Sequence, residues 1–133
     1  MISLALAQRL KEAGLIWMAQ NHDFFAVPVS GLDEQVFVLS DTMAYLDLLR
    51  GWPVVAFAGA TEWALDHIWT HEVVWLPTET QLREQIGQRV AECTLQQTAV
   101  TITCILNNRH HFTATSASEA YGLALLHLLE QEQ

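Results

Sequence analysis

Apolar positions fall at helical spacing in a few parts of this chain and in short extended runs elsewhere. Leu6, Leu10 and Ala13 recur at the period of a helix that Ser3 can cap and Gly14 can stop. Three short pieces follow, Leu15 to Met18, Phe24 to Val27 and Gln35 to Leu39, rich in aromatic and β-branched residues. They are divided by Asn21-His22-Asp23 and Ser30-Gly31, which read as turns and predict a meander. From Ser40 or Asp41 the spacing of Met43, Leu46 and Leu49 predicts a short helix, ended by Gly51 and the Trp52-Pro53 step. Val54 to Ala58 is wholly apolar and predicts a central strand; Gly59 and a Thr61 cap then predict a helix over 62–69, followed by an extended run from Val73 to Leu76.

The second half carries clearer signals. Thr78 and Gln81 have capping-box spacing, and the helix they open sets Leu82, Ile86 and Val90 on one stripe. Asn107-Asn108 tolerates the positive φ angles of a two-residue turn and predicts a hairpin between Val100 to Leu106 and Arg109 to Thr113. Ser116 and Glu119 make a second capping box. From Ala120 to Leu129 the predicted helix is apolar on nearly every side and should be buried on nearly every side. There is no internal repeat, low-complexity run or linker. The expectation is a single α+β domain over 1–133, sandwich-like, with helices packed on a mostly antiparallel or mixed sheet.

Four stretches resemble a family of small uncharacterised bacterial proteins of about this length, some of which carry the label pilus assembly protein. They are Ala7-Gln-Arg-Leu-Lys-Glu-Ala-Gly-Leu15, Val36-Phe-Val-Leu-Ser-Asp41, Gly59-Ala-Thr-Glu-Trp-Ala-Leu-Asp66 and Trp75-Leu-Pro-Thr-Glu-Thr-Gln-Leu-Arg83. The resemblance spans roughly residues 2 to 90. The family has no established activity, so the resemblance implies kinship and brings no catalytic residue with it. The chain holds no GxxxxGK[ST] phosphate cradle.

Composition narrows the function classes. The 133 residues are 51% apolar and 16% charged, with 6 Lys plus Arg against 15 Asp plus Glu, a net charge of −9. A mean hydropathy of +0.19 argues for a folded chain. One lysine and a strong acidic excess disfavour nucleic acid and an anionic membrane surface, both of which call for a basic face. Met1 to Leu10 lacks the basic start of a secretory signal, and no apolar run approaches the length of a membrane span, so a cytoplasmic protein is expected. Cys93 and Cys104 are too few for a disulfide framework and read as two inert buried thiols.

Chemistry-bearing residues are sparse. On a continuous helix, His67 and His71 would share a face, with Glu72 and Asp66 beside them, as a metal would require. His67, His71 and Glu72 are the metal-ligand candidates, and they support an alternative function as a small metal-binding protein or metal-dependent hydrolase. His110 and His111 point to opposite faces of their strand, and a two-residue turn would put His111 across from Cys104. No catalytic residue and no cofactor is expected. From Glu12 to Leu82 ten acids stand against a single base, Arg50. Five tryptophans and a low charge content suggest surplus apolar surface and a homodimer. The leading expectation is a non-enzymatic interaction or accessory module whose acidic half meets a basic partner protein.

Overall fold

The computed structural model describes residues 1–40, 44–57 and 67–133, except the side chain of His67. It is a mixed α+β protein in which helices accompany three small three-stranded antiparallel sheets. Two compact units can be distinguished. Unit 1 comprises residues 1–16 and 76–133, and unit 2 is the contiguous stretch 17–75.

Unit 1 is a layer of helices on a sheet. Helix α1 (Leu4–Glu12) begins where the Ser3 hydroxyl accepts the Leu6 N–H, and Gly14 takes up φ +108° just beyond its end. Helix α2 (Glu79–Gly87) has the complete capping box: Thr78 Oγ1 accepts from Gln81 N at 3.2 Å and Gln81 Oε1 accepts from Thr78 N at 2.9 Å. Strands β7 (Cys93–Gln97), β8 (Ile102–Leu106) and β9 (His110–Ala114) form one sheet in that order. Helix α3 (Ala117–Gln131) lies against β8, β9, α1 and α2, and this explains why its Ala, Leu and Tyr side chains are buried around most of its circumference. Cys104 and Leu106 face the helices and are fully buried, whereas Thr94, Gln96, His111 and Thr113 occupy the opposite, solvated face.

Two close approaches fix α1 on α3. Ser3 donates through its N–H and its hydroxyl to the two carboxylate oxygens of Glu119, both at 3.0 Å. At Gly122 a Cβ would stand 2.6 Å from Leu6 Cδ2, so any larger residue would force the buried Leu6 side chain to shift. The predicted capping box at the start of α3 is therefore half realised. Ser116 accepts from Glu119 N, but the Glu119 carboxylate crosses to the neighbouring helix instead of turning back.

Unit 2 contains β1 (Phe24–Ala26), β2 (Phe37–Val38), β3 (Ala44–Leu49), β4 (Trp52–Phe57) and β5 (His67–Trp69). One sheet has the order β3-β4-β5; the other has the order β2-β1-β6, where β6 (Val74–Leu76) contains the boundary between units. Phe25, Val27, Phe37, Leu39, Val55, Ile68 and Val73 make one apolar cluster. Phe25 stacks on Phe37 at 5.5 Å and Phe37 meets Phe57 edge-on at 5.6 Å. The buried Asp23 carboxylate accepts from the Trp17 indole N–H at 2.9 Å and from Gln20 N at 3.0 Å, so this acid serves the fold.

Several elements differ from expectation. Residues 44–49 form a strand, not the end of a helix; 41–43 lie outside the described residues, as do 58–66, where the Thr61 cap and the start of the second expected helix fall. The reason is cross-strand pairing: Ala44 to Leu49 run antiparallel to Trp52 to Phe57, and Arg50 and Gly51, at φ +53° and +83°, supply the two-residue turn. Pro53 is tolerated because β5 pairs with β4 only from Val54 onward. Leu15 to Met18 form no strand, and β7 was not foreseen, being polar and exposed over Thr94 to Gln97.

Candidate functional site

The expected metal ligands do not share a helical face. His67 begins β5, where it is opposite Ala56, because Ile68 and Trp69 continue the ladder against Val55 and Val54. Residues Thr70–Glu72 then make a single 3₁₀ turn. His71 and Glu72 are exposed, with Nε2 and Oε1 3.9 Å apart, and the His71 ring stacks on Trp69. Among the described residues no group of three His, Cys, Asp or Glu side chains could hold a metal ion.

The hairpin of unit 1 also corrects a pairing. Leu106 is opposite His110, so the loop has three residues and not two, with Asn107 and Asn108 both at positive φ. One extra residue moves the register by one and exchanges faces. Cys104 is therefore opposite Phe112, while His111 is opposite Ile105 and exposed. No thiol–imidazole pair forms there. Instead the His127 ring of α3 packs between His110 and Phe112, with ring centres 4.8 and 5.3 Å away.

Cys104 meets Cys93, with their sulfurs 3.4 Å apart. Cys93 is opposite Leu106 and Cys104 opposite Leu95, so the cysteines are diagonal neighbours on the helix-facing side of β7 and β8. Burial, and then contact with Cys93, push the Cys104 thiol up to about 12. Tyr121 of α3 is close enough for its hydroxyl to be raised by burial and by both cysteines, against a hydrogen bond from Arg83 of α2 that lowers it. Sequence spacing gave no sign of this cluster, because eleven positions separate the cysteines and only the β7–β8 register unites them.

Unit 1 also has an open groove of about 440 Å³ beside Arg9, Thr115 and Leu123. Its acid, Glu119, is already engaged by Ser3.

The more extensive feature is the turn end of the β3–β4 hairpin. Leu46, Leu48, Leu49 and Trp52 are all exposed, with Leu48 68% and Trp52 67% accessible around Arg50. Asp47 Oδ1 accepts the N–H of Leu48 at 2.8 Å and thereby occupies a donor on the outer edge of β3. Charge divides unevenly between the units. Unit 2 has eight acids against Arg50 alone, a formal −7, and unit 1 has seven acids against five bases, a formal −2. Asp33, Glu34, Asp47 and Glu72 are exposed. Among the described residues no helix is long and apolar enough to cross a membrane.

The fold and this surface define the protein only as an α+β chain with an acidic unit bearing exposed apolar side chains. No protein-family model, no curated protein and no solved structure matches it.

Proposed function

We propose that this protein is a non-enzymatic interaction module that uses unit 2 to meet a partner protein carrying basic residues. The observation that supports this reading most is the coincidence of two properties on one unit. A formal −7 and the exposed Leu46, Leu48, Leu49 and Trp52 belong to the same 59 residues. Acidic side chains steer a basic partner, and the exposed apolar side chains on the two faces of the hairpin end, Leu46 and Leu48 on one and Leu49 and Trp52 on the other, supply the contact that holds it. The resemblance to small bacterial proteins of unestablished activity is part of the same proposal and brings no catalytic residue with it.

Two copies meeting through the apolar hairpin end would give a homodimer, the commonest symmetric assembly. Cytoplasmic residence belongs to the same reading, in which Cys93 and Cys104 are thiols at rest.

The test compares the wild-type chain with a Leu48→Ser, Trp52→Ser variant of unchanged circular dichroism. The expected result is one identified basic protein recovered from cells by the wild type and lost with the variant. Its binding should weaken by roughly tenfold or more between about 0.05 and 0.5 M salt, as exposed charges are screened. A chain that stays monomeric at high concentration in light scattering and recovers no partner at low salt overturns the reading.

A further inference from the structure

We propose that Cys93 and Cys104 form a redox-active dithiol that a peroxide closes to a disulfide between neighbouring strands. The argument starts from position. The β7–β8 register puts both side chains on one face of the sheet, and their sulfurs stand 3.4 Å apart. Neither thiol is committed to a metal cluster among the described residues, and both are free.

The two cysteines are in different environments, and exposure sets the order in which they react. Cys93 is the first residue of an edge strand and is only half-buried, so a small oxidant can reach it. Cys104 is on the central strand, has no solvent exposure and, with its thiol pushed up to about 12, keeps its proton at neutral pH. The Cys93 sulfur attacks one oxygen of hydrogen peroxide and gives up its proton. The O–O bond breaks, an S–O bond forms, and the departing hydroxide takes a proton to become water, leaving a sulfenic acid on Cys93. The Cys104 sulfur then attacks the Cys93 sulfur, the S–O bond breaks, and the leaving hydroxyl departs as a second water with the proton of Cys104. Two thiols and one peroxide become one disulfide and two waters. An external dithiol reverses the change by thiol–disulfide exchange.

Closure requires the sulfurs to approach from 3.4 Å to about 2.05 Å. Strand β7 can supply that movement, since Thr94 to Gln97 are exposed and, among the described residues, β8 is its sole neighbour in the sheet. Both cysteines are close enough to Tyr121 to raise its hydroxyl, so a change in their state is felt on α3. Excluding Cys104 from solvent also protects it from the further oxidation that makes sulfinic acid.

The experiment uses the reduced full-length chain and hydrogen peroxide. Trypsin leaves both cysteines in one peptide, residues 90–109, because no Lys or Arg lies between Arg89 and Arg109. The expected product is that peptide lighter by two hydrogen atoms, with no uptake of N-ethylmaleimide after denaturation and full recovery of both thiols with dithiothreitol. Cys104→Ala should stop at a sulfenic acid on Cys93 that dimedone traps. Cys93→Ser should react with peroxide roughly tenfold more slowly or worse, since only the buried thiol remains. Circular dichroism checks that each variant folds, and the wild-type mass requires no variant at all. A wild-type chain that still takes up two maleimides after peroxide, or that yields sulfinic acid or disulfide-linked dimers instead of the internal bridge, overturns the proposal.

Discussion

At the level of single residues, packing leaves some positions no freedom and others a great deal. Gly122→Ala would drive a methyl group to 2.6 Å from Leu6 Cδ2 and 3.1 Å from Ile2 Cδ1. It should destabilise the fold by about 1 to 3 kcal/mol, the usual range for overpacking, read as a lower urea midpoint. Gly87→Ala in α2 meets nothing within 4 Å and should instead stabilise by up to about 1 kcal/mol through helix propensity. The buried thiol gives a pH dependence of definite sign. Cys104 binds its proton more tightly when folded, because burial pushes its pKa from the ordinary thiol value of 9.0 up to about 12. Its contribution is complete below pH 9.0 and is lost as the pH climbs toward 12, and Tyr121, also raised, adds a loss of the same sign. Urea titrations across that interval should show falling stability, with a shallower fall in Cys104→Ala. Cap residues were the most legible single positions. Ser3, Thr78 and Ser116 all cap as their spacing predicts, because a cap is decided within four residues. The carboxylate of Glu119 escaped prediction because its partner, Ser3, lies 116 positions away.

Among elements, the signals that failed were those in which two periods fit the same letters. Met43, Leu46 and Leu49 fit a helix stripe, but Tyr45, Asp47 and Leu49 are equally one side of a strand, and pairing with Val54 and Val55 decides the outcome. Arg50-Gly51 is the local clue that favours the hairpin, since two successive residues at positive φ make a tight turn of the right twist. Gly51→Ala should therefore cost about 1 to 2 kcal/mol, the penalty for a side chain in left-handed backbone, measured as a lower midpoint with an unchanged slope. Its equivalent at Gly87 should show no such loss. The three-residue loop at Asn107 to Arg109 teaches a related lesson. The hairpin was readable from its asparagines, yet one added residue decided which face Cys104 and His111 occupy, and with it the fate of the thiol–imidazole pair. The metal candidates depended on a helix through His67 and His71, and the ladder of β5 replaced that spacing with an extended one.

Across the whole molecule, the sequence indicated an α+β fold, and that is the architecture of the structure. What no local pattern carries is the assignment of segments to units. The first sixteen residues belong with the last fifty-eight, and counting by unit leaves a formal −7 on residues 17–75 and −2 on the others. Lengthening the chain between α1 and α3 has a consequence in time. Helix α1 must wait for α3, and contacts so distant along the chain form late and slow the overall rate. The hairpins β7–β8 and β8–β9 close over a few residues and need no such wait. Pulse-labelled hydrogen exchange during refolding should protect Thr94 to Thr113 before Leu6 to Leu10, and the reverse order would contradict this account. The Ser3–Glu119 bridge is then the last clasp to fasten: until it does, α3 has one flank without its helix, and the exposed leucines there are what a chaperone would find.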